Sequence, residues 1–163
     1  MVVPALMKGN SLEQFSVGQT SSMSHTVTAD EIEMFARASG DTNPVHLDAA
    51  YAATTQFGRR IAHGMLTASY ISAVLGTQFP GPGTVYLKQD LSFLQPVYLG
   101  DTITVKVVVT RYEAEKGILT LETDCYNQRG VKVLTGEAVC LVSEVGLRPA
   151  PQAAPAVLRA VRS

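Results

Sequence analysis

Cysteine is scarce: Cys125 and Cys140 are the only two in 163 residues, and a disulfide scaffold would need a higher density in a smaller chain. A reduced, cytoplasmic setting is the expectation, with both thiols packed in strands of the core. Net charge is nearly absent as well. Thirteen Lys and Arg stand against fourteen Asp and Glu, for a balance of −1, which leaves no broad electrostatic surface for nucleic acid or anionic lipid. No basic residue precedes the short apolar run at the start, which Pro4 interrupts, so Met1 to Asn10 is expected to be neither a signal peptide nor a membrane span. Missing too are GxGxxG, GxxxxGK, HExxH and GxSxG, and with them support for the common nucleotide, zinc-protease and serine-hydrolase chemistries. No internal repeat is visible.

What is present describes one domain. At 46% hydrophobic residues, a chain of this length buries roughly 68–70% of its unfolded surface and can stand without metal or disulfide. Ser22 to Val27 alternates, with Met23, His25 and Val27 on one side, as a short strand does. Thr28 and Glu31 make a capping box, and Ile32, Phe35, Ala36 and Ser39 recur at helical spacing until Gly40, so Ala29 to Ser39 reads as an amphipathic helix. Asp41-Thr42-Asn43-Pro44 is turn chemistry that sets its side chains on a loop. Asp48 caps a short Ala-rich helix through about Thr54. From Gly64 to about Gln78 no residue is charged, and a helix apolar all round is a buried one. Beyond Pro80 to Gly83 come four strand-like runs, Val85 to Pro96, Thr102 to Tyr112, Ile118 to Asn127 and Val131 to Val142. The turns between them are short enough to make each run the antiparallel neighbour of the next.

The pattern is α+β, with about five antiparallel strands and one buried central helix. A curved sheet rolled around that helix, the hot-dog arrangement, is the economical solution, and an open α+β sandwich fits the same pattern. Residues 1–144 are assigned to this domain. Residues 145–163, rich in proline and alanine with three arginines and no acid, are expected to be a disordered tail whose deletion changes neither activity nor melting temperature.

The polar residues that stand out lie between Gly40 and Gly64. Asp41 and His46 are five apart across a Pro-containing turn, a spacing that lets an extended loop present both to one point. A carboxylate and an imidazole together can give and take protons near neutral pH; a turn-forming Asp and a packing His fit the spacing equally. His63-Gly64 opens the apolar helix. A glycine there lets a ligand approach the free backbone N–H groups, and the positive helix end favours charge developing on a carbonyl oxygen; the plain alternative is a glycine that only starts a helix. Asp41, His46, Asp48 and His63 are metal ligands by type, but their spacing matches no standard set, and no metal is expected.

The run Ser39-Gly40-Asp41-Thr42-Asn43-Pro44-Val45-His46-Leu47-Asp48, with Ala52-Ala53-Thr54-Thr55-Gln56-Phe57 and Ile61-Ala62-His63-Gly64-Met65-Leu66, resembles the hydratase-2 motif of the MaoC-like (R)-specific enoyl-CoA hydratases. Gly83 to Phe93, Pro96 to Asp101 and Thr135 to Val139 are similar to the same family's sheet region, so the likeness runs from about Phe15 to Val142. It implies a hot-dog homodimer with active sites near the interface. It also implies reversible hydration of trans-2-enoyl-CoA to (3R)-3-hydroxyacyl-CoA without metal or organic cofactor, the coenzyme A thioester being the substrate. Asp41 and His46 would hold one water, His46 taking its proton for attack at C3 while Asp41 supplies a proton at C2, and the Gly64 N–H would stabilise the thioester oxygen. Asn43 would orient the loop or the water, and His63 would stand among the substrate-binding residues. Ser72 matches a serine of some members, and with Leu75 it would set the depth of an acyl pocket facing Val139. Arg59, Arg60 and Lys88 are the nearest cations for the coenzyme A phosphates. Two other readings fit the resemblance: the same chemistry on an acyl-carrier-protein substrate, and a hot-dog acyl-CoA thioesterase.

Overall fold

Strand β1 (Thr20–Thr26) runs into helix α1 (Ala29–Ser39) through Thr28, whose hydroxyl accepts from the Glu31 N–H while the Glu31 carboxylate accepts from the Thr28 N–H. That reciprocal cap satisfies two of the helix's orphan donors. Gly40, at φ 80°, closes α1 by donating its N–H to the Ala36 carbonyl. The computed structural model describes residues 15–142, so the leader up to Gly9 and the tail Val145 to Ser163 lie outside the described residues.

The next segment departs from the sequence expectation. Pro44–Leu47 is a one-turn helix, α2, instead of an extended loop. The Asn43 side chain accepts from the Val45 N–H at its start, and Pro44 at the first helical position has no N–H to leave unpaired, so the residues that suggested a turn in fact begin a helix. Helix α3 (Ala49–Ala53) follows, capped by Asp48, and then α4 (Gly64–Thr77).

Strands β2 (Val85–Phe93), β3 (Thr102–Glu113), β4 (Ile118–Tyr126) and β5 (Lys132–Leu141) complete one antiparallel sheet of order β1-β3-β4-β5-β2. The expected meander holds for β3, β4 and β5 and fails for β2, which pairs with β5 at the far edge. Residues 94–101 do not turn β2 back on a neighbour. They carry the chain across the domain, held where the Ala62 N–H meets the Val97 carbonyl and where, just past β1, the Val27 carbonyl accepts from the Gly100 N–H while the Val27 N–H donates to the Asp101 carbonyl.

The sheet's curl follows from what α4 touches. Helix α4 contacts β1, β3 and β2, and β1 and β2 are opposite edges. Flat, those edges would stand about 19 Å apart at four strand spacings of about 4.8 Å, wider than a helix of about 10 Å. The sheet therefore wraps the helix in the hot-dog manner, helped by register shifts at Tyr86/Lys88 and Val109/Arg111 that bend strands locally. Across the inner face one row reads Met23, Val105, Cys125, Leu134, Phe93. Cys125 and Cys140 are free thiols buried in this core, and burial raises both thiol pKa values, to about 12 and about 11.

Helix α4 is not buried all round. Leu66, Thr67, Ala68, Tyr70, Ile71, Val74 and Leu75 are buried, while Met65, Ser69, Ser72 and Gly76, spaced along one helical face, are exposed. A helix without a polar face gives no clue to its rotation, and here the open face consists mostly of small residues. No helix among the described residues is long and apolar enough to cross a membrane.

Candidate active site

Asp41 follows the cap of α1, in a turn where its Oδ1 accepts from the Asn43 N–H at 3.2 Å and its own N–H donates to Ser39 Oγ. One carboxylate oxygen is thus engaged locally and the other is left for a ligand. His46 sits on α2, buried, with Nδ1 2.9 Å from the Ile61 carbonyl. A carbonyl only accepts, so Nδ1 carries the hydrogen and Nε2 keeps its lone pair. Burial pushes the His46 pKa below the ordinary 6.5, the Ile61 bond and Asp41 opposing that and His63 adding to it. The ring is held neutral near pH 7 and able to accept a proton.

His63 stands immediately before Gly64, which starts α4. Its Nε2 lies 2.9 Å from the Asp41 carbonyl, and its ring lies against that of His46 with centroids 3.9 Å apart. One ring nitrogen from each histidine and a carboxylate oxygen of Asp41 all fall within 4.8 Å of one another. Two hydrogen bonds of about 2.8 Å span up to about 5.6 Å, so a single water can bridge the carboxylate and His46. The same three donors are of a type a divalent ion can use. Asp48, the fourth residue of the sequence-based metal reading, is not among them, because its carboxylate caps α3 on the Ala50 and Tyr51 N–H groups.

These groups open on a cavity of about 640 Å³ whose lining is otherwise mostly apolar, including Phe35, Met65, Phe93 and Leu134. That volume suits a small organic ligand. Gly64 lines it as the first residue of α4, where backbone N–H groups lack partners within the helix.

The other sequence candidates fall elsewhere. Asn43 caps α2. Ser72 and Lys88 line a second cavity of about 500 Å³ that shares Phe35 and Met65 with the first, and Lys88 pairs with Asp90 at 2.7 Å. Leu75 lines neither cavity; at 1% exposure it belongs to the core. Arg59 lies over the Tyr98 ring at 4.1 Å. Arg60 is turned inward, its Nε donating to the His46 carbonyl at 2.6 Å. It braces the backbone of His46 where a free phosphate-binding cation was expected. Phe35, Phe93 and the Ile61 carbonyl escaped the sequence reading. Aromatics read as core, and a backbone carbonyl leaves no trace in residue identity.

A family model described as a MaoC-like domain matches residues 14–125. An (R)-specific enoyl-CoA hydratase of Rhodospirillum rubrum is 47% identical over 134 residues, covering 82% of this chain and 92% of that protein. A mitochondrial 3-hydroxyacyl-[acyl-carrier-protein] dehydratase of Arabidopsis thaliana is 32% identical, covering 80% of each. Among solved structures, an (R)-hydratase from A. caviae involved in PHA biosynthesis superposes with a TM-score of 0.78 at 47% identity, covering 80% of this chain and 99% of that one.

Proposed function

The chain belongs to the MaoC-like domain family, and from that premise we propose that it is an (R)-specific enoyl-CoA hydratase that adds one water to trans-2-enoyl-CoA to give (3R)-3-hydroxyacyl-CoA, and the reverse. The observation that carries the reading is the fixed tautomer of His46: with Nδ1–H given to Ile61, Nε2 is left as a neutral base on a ring that is grouped with the Asp41 carboxyl at the wall of an apolar cavity. His46 takes a proton from the water as its oxygen attacks C3, the Asp41 carboxyl gives its own proton to C2, and the proton held on His46 then returns to Asp41, so that one molecule of water is added in sum. Because both groups work from one side of the cavity, both additions fall on one face of the substrate. Negative charge grows on the thioester oxygen only on the way to product. A Gly64 N–H aimed at it therefore raises rate more than affinity. Nothing is oxidised or reduced, so the reaction calls for no redox cofactor, and coenzyme A enters as part of the substrate.

A carrier-protein thioester would undergo the same chemistry. The higher identity to the coenzyme A enzyme, 47% against 32%, favours the free thioester. We further propose that the working form is a homodimer. Edge strand β2 and the segment after it expose Val85, Leu87, Phe93 and Leu94, and α4 adds Met65 beside its open face, a surface that a second copy would cover. The two free thiols accord with a reducing, cytoplasmic setting.

The test is kinetic. Asp41→Asn and His46→Gln should each lower kcat by about a hundredfold or more while leaving the fold intact. Their double variant should lose far less than the product of the two, since both act on a single water. Near-normal turnover in either purified variant contradicts the assignment.

A further inference from the structure

His63 touches every part of the site and lines the cavity, yet as a residue it is only 2% exposed and so offers a substrate little to hold. Nε2 bonds the Asp41 carbonyl, the ring lies against His46, the Phe35 ring is 5.0 Å away on another side, and the next residue is Gly64. Asp41, His46 and Gly64 come from three separate segments: the turn after α1, the one-turn helix α2, and the start of α4. Among the described residues His63 is where the three meet. We infer that His63 is a positioning residue, a strut that holds acid, base and oxyanion donor in register rather than a group that holds the substrate. The inference rests on the hydratase reading.

Two features argue for this over simple packing. The Asp41 carbonyl accepts only, so Nε2 carries the hydrogen and Nδ1 is bare, and Nδ1 is buried without a hydrogen-bond partner. A phenylalanine would fill the same space without an orphan ring nitrogen, at the loss of the bond to the Asp41 carbonyl. A buried orphan acceptor costs stability, and a residue kept for volume alone has no reason to carry one. The Nε2–H bond is what the imidazole adds, and it lands on the backbone of the acid. Register matters because a misplacement of about 1 Å at a reacting group can cost about a hundredfold in rate.

His63→Phe keeps ring and stacking and deletes the donor; His63→Gln puts an amide N–H back within reach of the Asp41 carbonyl. With the full chain and crotonyl-CoA, His63→Phe should lose about tenfold to a hundredfold in kcat, with KM within about twofold and melting temperature unchanged or raised. His63→Gln should recover most of the lost kcat. Because the chain has only three histidines, ring-nitrogen NMR of the wild type gives a readout independent of turnover: His63 should carry its hydrogen on Nε2, toward the Asp41 carbonyl, with Nδ1 bare. An active wild type whose His63→Phe variant turns over normally, or a His63 found as the Nδ1–H tautomer, overturns the inference and leaves the hydratase reading standing. A wild type that hydrates no enoyl-CoA overturns both. Should His63→Phe not fold, the tautomer measurement and His63→Gln still decide.

Discussion

A methyl group on residue 64 would have to share space with Phe93, whose Cε1 lies 2.8 Å from where that Cβ would be. Phe93 is 54% exposed at the end of an edge strand, so its ring can swing aside, and alanine is the better helix former by about 1 kcal/mol. Stability should therefore be nearly indifferent to Gly64→Ala. Catalysis should not be, because the methyl sits where a thioester oxygen must approach the helix start; kcat should drop about tenfold or more, with a melting temperature shifted by no more than a few degrees in a thermal scan. Equal turnover would show that the oxyanion is held elsewhere. Asp41, His46, His63 and Gly64 could be singled out in the sequence because each lies in a short stretch with distinctive turn or helix-start chemistry. Arg60 could not be placed, since a cation two residues from a glycine turn reads as solvated until the His46 carbonyl is found under it.

Among the elements, β5 contains a glycine, which ordinarily weakens a strand by about 0.5–1 kcal/mol relative to alanine. Gly136 reverses that sign. It faces Leu91 of β2 on one side and Thr123 of β4 on the other, and the Gln89 side chain reaches across it to Thr123 Oγ1 at 3.0 Å while also bonding the Asp90 carbonyl. A Cβ on Gly136 would lie 2.0 Å from that carbonyl oxygen. Gly136→Ala should thus destabilise by about 1–3 kcal/mol, read as a lower denaturant midpoint; a midpoint equal to or above wild type would mean that β2 is free to move off β5. Helices α1 and α4 were legible because their signals are local: the Thr28–Glu31 box and Gly40 bound α1, and the uncharged run bounds α4. Strand pairing was legible only where a short turn enforced it, between β3, β4 and β5. The place of β2 depends on a partner some fifty residues away, and the rotation of α4 on packing, so neither the far-edge pairing nor the exposed face of α4 had a local signature.

For the molecule as a whole, the open side is the one that bears the edge of β2 and the exposed face of α4. Leu87 is 52% exposed at the bulge of that edge strand, where a lysine would disturb nothing within one copy but would charge a surface proposed to be covered. Sedimentation at micromolar concentration should find the wild type as a dimer and Leu87→Lys shifted toward monomer with its fold retained. A wild type that is monomeric and fully active would contradict the dimer. The claim on which the rest depends is the reaction itself, and one assay reaches it: purified full-length protein with crotonyl-CoA, following the enoyl absorbance and free thiol together and resolving the product's configuration. The account predicts loss of the enoyl absorbance with no thiol released and (3R)-3-hydroxybutyryl-CoA as product. Release of free thiol, a (3S) product or an unchanged enoyl signal would contradict it.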